Sequence, residues 1–107
     1  PSFHESFGLV ALESMASGRP VVASDVGALS TQVVHGSTGC LVGTHDPVDF
    51  AHCMEDLLGN PRAREAMGEA AVNHAREFTW RRAADQALEG YRRAAVGFAE
   101  RSDLLSR

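Results

Sequence analysis

The order of apolar runs along this chain predicts an α/β domain containing a parallel sheet, followed by a helical tail. Two short β-branched or apolar runs without polar alternation, residues 20–24 and 40–42, fit strands covered on both faces. A loop and a helical pattern separate the runs, and three helical segments in series follow Pro47. Two strands make a poor independent sheet, so further strands upstream are expected. The opening Pro-Ser-Phe-His, without methionine, likewise reads as a piece of a longer protein.

The first helix is expected to begin near Gly8. From Phe7 to Ser17 the residues are apolar or small all round, with Glu13 the only charge, so the helix should be largely buried. Gly18-Arg19-Pro20 stops it, because glycine suits a left-handed cap and proline cannot continue a helix. Asp25-Val26-Gly27-Ala28 then forms a loop at the carboxyl end of the first strand, where open α/β sheets place ligands. Residues 29–35 fit a short helix with apolar Leu29, Val33 and Val34, and His35-Gly36-Ser37-Thr38-Gly39 is a turn before the second strand.

Asp46 can cap the next helix, with Pro47 in its first turn. Residues 48–58 place Phe50, Ala51, Met54, Leu57 and Leu58 on one face, and Gly59-Asn60-Pro61 ends that face. Residues 62–78 repeat small and apolar side chains, with His74 among them, at spacings of three and four. Thr79 caps a last helix from Trp80, whose stripe includes Leu88, Tyr91 and Phe98. Residues 101–107 read as a frayed tail.

At 107 residues and 44% hydrophobic content the chain suits one globular domain. Residues 1–61 hold seven acids against Arg19 alone, a net −6, whereas residues 62–107 hold seven acids and nine arginines, a net +2. An acidic first half argues against a nucleic-acid surface. Cys40 and Cys53 lie in apolar stretches without CxxC spacing, and reduced core thiols are expected. The apolar runs are too short to span a bilayer, and no leader opens the sequence. A cytoplasmic protein is the expectation.

The motif that calls for chemistry is Glu5-Ser6-Phe7-Gly8-Leu9-Val10-Ala11-Leu12-Glu13, two carboxylates separated by seven residues. Burying an ionised glutamate without partners costs several kcal/mol, so a lone Glu on an apolar helix usually has dedicated donors. A carboxylate accepts at both oxygens, which suits the paired hydroxyls of a ribose, and free N–H groups around Ser6, Phe7 and Gly8 suit a phosphate. The alternative is structural: Glu13 pairs with a backbone amide or an arginine, and Glu5 is a solvated loop acid.

Four segments in order then resemble the retaining glycosyltransferases of family 4. They are Pro1 to Glu13, Ala16-Ser-Gly-Arg-Pro-Val-Val-Ala-Ser with Val26-Gly27, Gly36-Ser-Thr-Gly39-Cys-Leu-Val, and Glu77-Phe-Thr-Trp80. The resemblance implies the C-terminal part of the donor-binding domain of a GT-B fold, a Rossmann-like parallel-sheet domain, over residues 1–100. It also implies transfer of a hexosyl group from a nucleotide diphosphate sugar to an acceptor, with retention and with neither metal nor cofactor. Glu5 matches the first motif glutamate, near the donor hexose and reacting centre. Glu13 matches the second, on the ribose hydroxyls. The amides of Phe7, Gly8 and Leu9 would face the sugar and diphosphate.

The chain departs from that pattern in places. The basic pair that grips the diphosphate in relatives is missing, since only Arg19 precedes Arg62 and it follows the helix end. The acceptor and the N-terminal acceptor domain are likewise missing partners. The isolated chain is therefore expected not to transfer sugar. A non-catalytic nucleotide-sugar binding or assembly module, or an epimerase on the same fold, are the alternatives. Val26-Gly27 is followed by Ala28, Leu29, Ser30 and Thr31 where relatives carry a second glycine and a proline-glutamate pair, which leaves base selectivity open.

Other residues read more simply. His4 adjoins the motif, His74 suits a satisfied core or interface position, and His35, His45 and His52 lack metal-ligand spacing. The stripe of Trp80, Tyr91 and Phe98 is read as a packing surface, with Tyr91 and Phe98 offering a face for a homodimer.

Overall fold

The computed structural model describes residues 1–106. The elements are α1 (Leu9–Ala16), β1 (Val21–Ser24), α2 (Leu29–Gln32), β2 (Gly39–Val42), α3 (Pro47–Gly59), α4 (Pro61–Ala75) and α5 (Trp80–Leu105). Strands β1 and β2 pair in parallel, with Val21 opposite Gly39 and Ser24 opposite Val42. A parallel pair needs a crossover, and α2 supplies it. The fold class matches the α/β expectation, with two strands and helices around them.

The chain forms two compact units, residues 1–77 and the segment from residue 78 onward. In the first unit, Ala11, Ala23, Leu29 and Val33 make the buried cluster, flanked by Val21, Val26 and Leu41. Helix α4 packs on α1, and Met15 and Ala71 are fully buried. Gly68 permits that approach: a Cβ there would lie 2.4 Å from the Gly18 carbonyl oxygen.

Asp46 caps as expected, and Asn60, read only as part of a helix stop, also caps the next helix, which starts at Pro61. The Asp46 carboxylate accepts from Val48 N–H at 2.9 Å, and Asn60 Oδ1 accepts from Ala63 N–H at 3.1 Å. Helix α2 stops at Gln32, short of His35, because Val33 takes an extended conformation. The Thr38 hydroxyl then accepts from Val34 N–H at 2.9 Å and closes the turn.

In the second unit, the Thr79 hydroxyl accepts from Arg82 N–H at 3.1 Å and starts α5. No residue of α5 is buried, so the stripe of Trp80, Tyr91 and Phe98 is exposed in this chain. The helix continues to Leu105, through most of the stretch expected to fray; Arg107 lies outside the described residues.

Two expectations are corrected. Cys40 of β2 and Cys53 of α3 are joined as a disulfide, with Cα atoms 6.4 Å apart, rather than standing as separate reduced thiols. Helix α3 crosses the sheet there and brings together two residues that sequence spacing alone keeps apart. Reduced thiols thus no longer support a cytoplasmic setting. Among the described residues no helix is long and apolar enough to cross a membrane.

The second correction concerns α1. Only Ala11 and Met15 are buried, while Leu9 and Val10 are 55% and 80% exposed and Glu13 is exposed. Its neighbours β1, α2 and α4 cover one side. At 100° per residue Glu13 points away from Ala11 and Met15.

Candidate functional site

Residues 1–8 are stitched to the carboxyl end of the sheet. Ser2 N–H donates to Ser24 Oγ at 2.8 Å, at the last residue of β1, and Ala28 N–H donates to the Glu5 carbonyl at 3.0 Å. Gly27, with φ +51°, lies against the Glu5 backbone so closely that a Cβ would fall 2.1 Å from the Glu5 oxygen. The motif glutamate is therefore held beside the loop that follows a parallel strand, where α/β folds bind ligands.

Glu5 is half-buried and turns back on its own loop. Its Oε1 accepts from Phe7 N–H at 3.3 Å and from Gly8 N–H at 3.0 Å. Gly8, at φ +74°, is the N-cap of α1 and is left-handed, so the chain turns sharply into the helix with no side-chain cap from Gly8 itself. The expectation that the Phe7 and Gly8 amides stand open is thus modified, since a carboxylate already bridges them. The helix start gathers N–H groups and partial positive charge at one spot, and the carboxylate of Glu5, three residues before the N-cap, reaches it.

Leu9 continues the same rim as the first residue of α1, and Glu13 sits one turn above it on the outward face. Phe7, Leu9 and Glu13 are exposed, whereas Glu5 is half-buried and Gly8 is buried at the turn into α1. The physical reason first given for Glu13, the cost of burying its charge, does not apply in this chain because the residue is exposed.

Arg19 follows the opposite end of α1. With Gly18, Arg64 and Glu69 it lines an open cleft of about 470 Å³ against α4, away from Gly8. It does not reach the motif loop. His45 stacks on Phe3 with ring centroids 4.3 Å apart, which brings the loop before α3 to the start of the motif segment. The His35 ring Nδ1 accepts from Leu41 N–H at 3.0 Å, so that histidine is part of the β2 edge. Among the described residues, no group of three or more histidines, cysteines or acids could hold a metal.

Gln32 escaped the sequence reading, whereas His74 is satisfied as expected. The Gln32 carboxamide Nε2 donates to the Phe7 carbonyl, and the Gln32 carbonyl accepts from His74 Nε2 at 2.9 Å. Ser30, Thr31 and Gln32 all lie between Leu29 and Val33, so polarity alone did not single out Gln32.

Comparison with known proteins agrees with this fold. The family described as Glycosyl transferases group 1 matches residues 1–74. The chain is 53% identical over 97 residues to a D-inositol 3-phosphate glycosyltransferase of Paenarthrobacter aurescens, covering 91% of this chain and 24% of that protein. A Corynebacterium diphtheriae protein of the same name is 52% identical over 96 residues, covering 90% and 22%. This chain thus spans about a quarter of the length of the curated relatives it matches.

Among solved structures, sucrose-phosphate synthase from Thermosynechococcus elongatus superposes with a TM-score of 0.76 at 36% identity, covering 91% of this chain and 25% of that one. Anabaena HepE, solved in complex with UDP, superposes with a TM-score of 0.64 at 28% identity, covering 66% and 20%.

Proposed function

We propose a sugar-donor role for this chain, which belongs to the glycosyl transferases group 1 family. As part of a longer protein it takes part in transferring a hexosyl group from a nucleotide diphosphate sugar to an acceptor, with retention at the anomeric carbon. Glu5 lies near the reacting centre. The Gly8 and Leu9 amides, with Phe7 N–H, receive the diphosphate and sugar hydroxyls, and Glu13 accepts from the ribose hydroxyls. No metal is required, because a helix N-terminus supplies the positive end that the leaving diphosphate needs.

The observation that carries this reading is the Glu5 carboxylate on the Phe7 and Gly8 N–H groups. Two consecutive amides converge on a negatively charged oxygen at the start of a helix, and a phosphate oxygen makes the same demand. Donor binding then requires Glu5 to yield those amides, which frees its carboxylate for the sugar. The UDP complex of Anabaena HepE supports a nucleoside diphosphate as the occupant.

The isolated chain binds donor weakly and does not catalyse transfer, since Arg19 is the only basic side chain before Arg62 and sits at the far end of α1. Calorimetry with UDP and UDP-sugars tests the reading. Glu13→Ala should abolish binding while leaving the melting temperature unchanged, because its side chain is exposed. Binding equal to that of the unsubstituted chain would sink the assignment of Glu13.

That same lack of a basic grip favours a second reading for the isolated piece, a binding or assembly module without catalysis. Transfer activity in the longer protein, lost on Glu5→Gln, decides for the enzyme. The exposed stripe of α5, with Tyr91 and Phe98, also offers a second copy an apolar face. Light scattering that shows a clean monomer at high concentration rules out such a homodimer.

A further inference from the structure

Gln32 is a costly side chain to bury in the first unit. It is 5% exposed, beside Leu29 and Val33 of the apolar cluster, and its Oε1 is buried without a hydrogen-bond partner. An apolar residue of the same size would avoid that penalty, because an unsatisfied buried acceptor loses its water without replacement. Packing alone therefore does not explain an amide at this position. What the amide does is bind one peptide unit of the motif loop: Nε2 donates to the Phe7 carbonyl, and the rest of the carboxamide lies against Gly8. A Cβ on Gly8 would fall 2.5 Å from Gln32 Oε1, so the side chain fills the space that only glycine leaves.

The Phe7 carbonyl and the Gly8 N–H belong to the same peptide unit. In a trans peptide they point in opposite directions, and neither can turn without the other. Fixing the carbonyl inward on Gln32 fixes the Gly8 N–H outward, toward the oxygen of Glu5 that now receives it at 3.0 Å. Flipping that plane changes Phe7 ψ, which has both α and β wells, and Gly8 φ, which glycine tolerates at either sign, so sterics leave both orientations open. Gln32 is itself anchored from the other side, through its carbonyl to His74 of α4 and its N–H to the Ala28 carbonyl at 3.0 Å.

We infer that Gln32 is a positioning residue for the donor site, holding the Phe7 carbonyl inward so that the Gly8 N–H faces the diphosphate. The inference rests on the donor reading above. It adds that the amide cradle is set by a glutamine on the crossover helix and not by α1 alone.

The test uses isotope-labelled 107-residue chain and UDP as probe. In the unsubstituted protein, NMR should show a through-hydrogen-bond coupling between Gln32 Nε2 and the Phe7 carbonyl carbon, with and without UDP. Gln32→Met keeps the side-chain length and removes both polar atoms. It should leave the melting temperature unchanged or higher, lower the hydrogen-exchange protection of the Gly8 amide about tenfold, and weaken UDP binding by a similar factor. Gln32→Glu presents an acceptor to the Phe7 carbonyl and should weaken UDP binding further than Met does.

A merely structural glutamine would change the melting temperature and leave the Gly8 amide and UDP affinity as they were. That result, or absence of the coupling, overturns the inference. Should Gln32→Met fail to fold, the coupling in the unsubstituted chain still decides. Should that chain bind no UDP, the donor reading fails, while the coupling and Gly8 protection continue to decide the role of Gln32.

Discussion

Gly27→Ala tests how Glu5 is held, and its cost can be worked from the structure. The added Cβ would fall 2.1 Å from the Glu5 carbonyl oxygen and 3.1 Å from its carbon, distances that force the two segments apart. Three terms act together. Alanine at φ +51° loses about 1 kcal/mol relative to glycine. Separating the segments breaks the Ala28 N–H to Glu5 carbonyl bond, about 1 kcal/mol more. Relieving the overlap costs at least about 1 kcal/mol.

The total of about 3 kcal/mol would lower the melting temperature by roughly 12–24 °C in a unit of this size. Gly36→Ala is the matched control. Its φ is +78°, yet nothing lies within 4 Å of the added Cβ, so it should lose only the torsional part, about 1 kcal/mol. Thermal melts followed by circular dichroism, with UDP calorimetry on both variants, make the comparison. Gly27→Ala should also weaken UDP binding, and Gly36→Ala should not. Equal melting temperatures for the two variants would refute the claim that Gly27 is pressed against Glu5.

Cys53→Ser should destabilise the first unit by about 3 kcal/mol, the chain-entropy value for closing a loop of this length, measured by urea unfolding. Thiol titration of the denatured, unreduced protein should find no free thiol among the described cysteines; two would show that Cys40 and Cys53 are unbonded. Gly68→Ala places a Cβ 2.4 Å from the Gly18 carbonyl and should cost about 1–3 kcal/mol by prising α4 from α1, even though alanine is the better helix former. A stabilised Gly68→Ala variant would show that the two helices can part without loss.

Local chemistry made much of the fold legible. Asp46 and Thr79 act as caps where their residue types and the following proline or tryptophan place them, because capping depends on neighbours within three residues. The two strands and their parallel sense followed from unalternating apolar runs separated by a helix-length connection. What stayed hidden depends on residues far apart in sequence. Gln32 meets Phe7 across 25 positions and His74 meets Gln32 across 42, and no periodicity announces a side chain that crosses from one element to another.

The expectation for α1 failed for a related reason, and the failure sharpens the argument about its motif. An all-apolar helix states that it needs cover on every side, but not which segment supplies it, and here β1, α2 and α4 cover only the side of Ala11 and Met15. Leu9, Val10 and Glu13 share the other side. A carboxylate on that face has no burial penalty to explain, so its role cannot be inferred from the energetics of this chain. The amino end of α1 differs, because its geometry needs no cover to be read. A glycine in the left-handed region, a peptide plane held from behind by Gln32 and a carboxylate drawn onto two amides are all present within the first unit. The case for an anion site therefore rests on Gly8 and its neighbours, and Glu13 must be established by binding, independently of them.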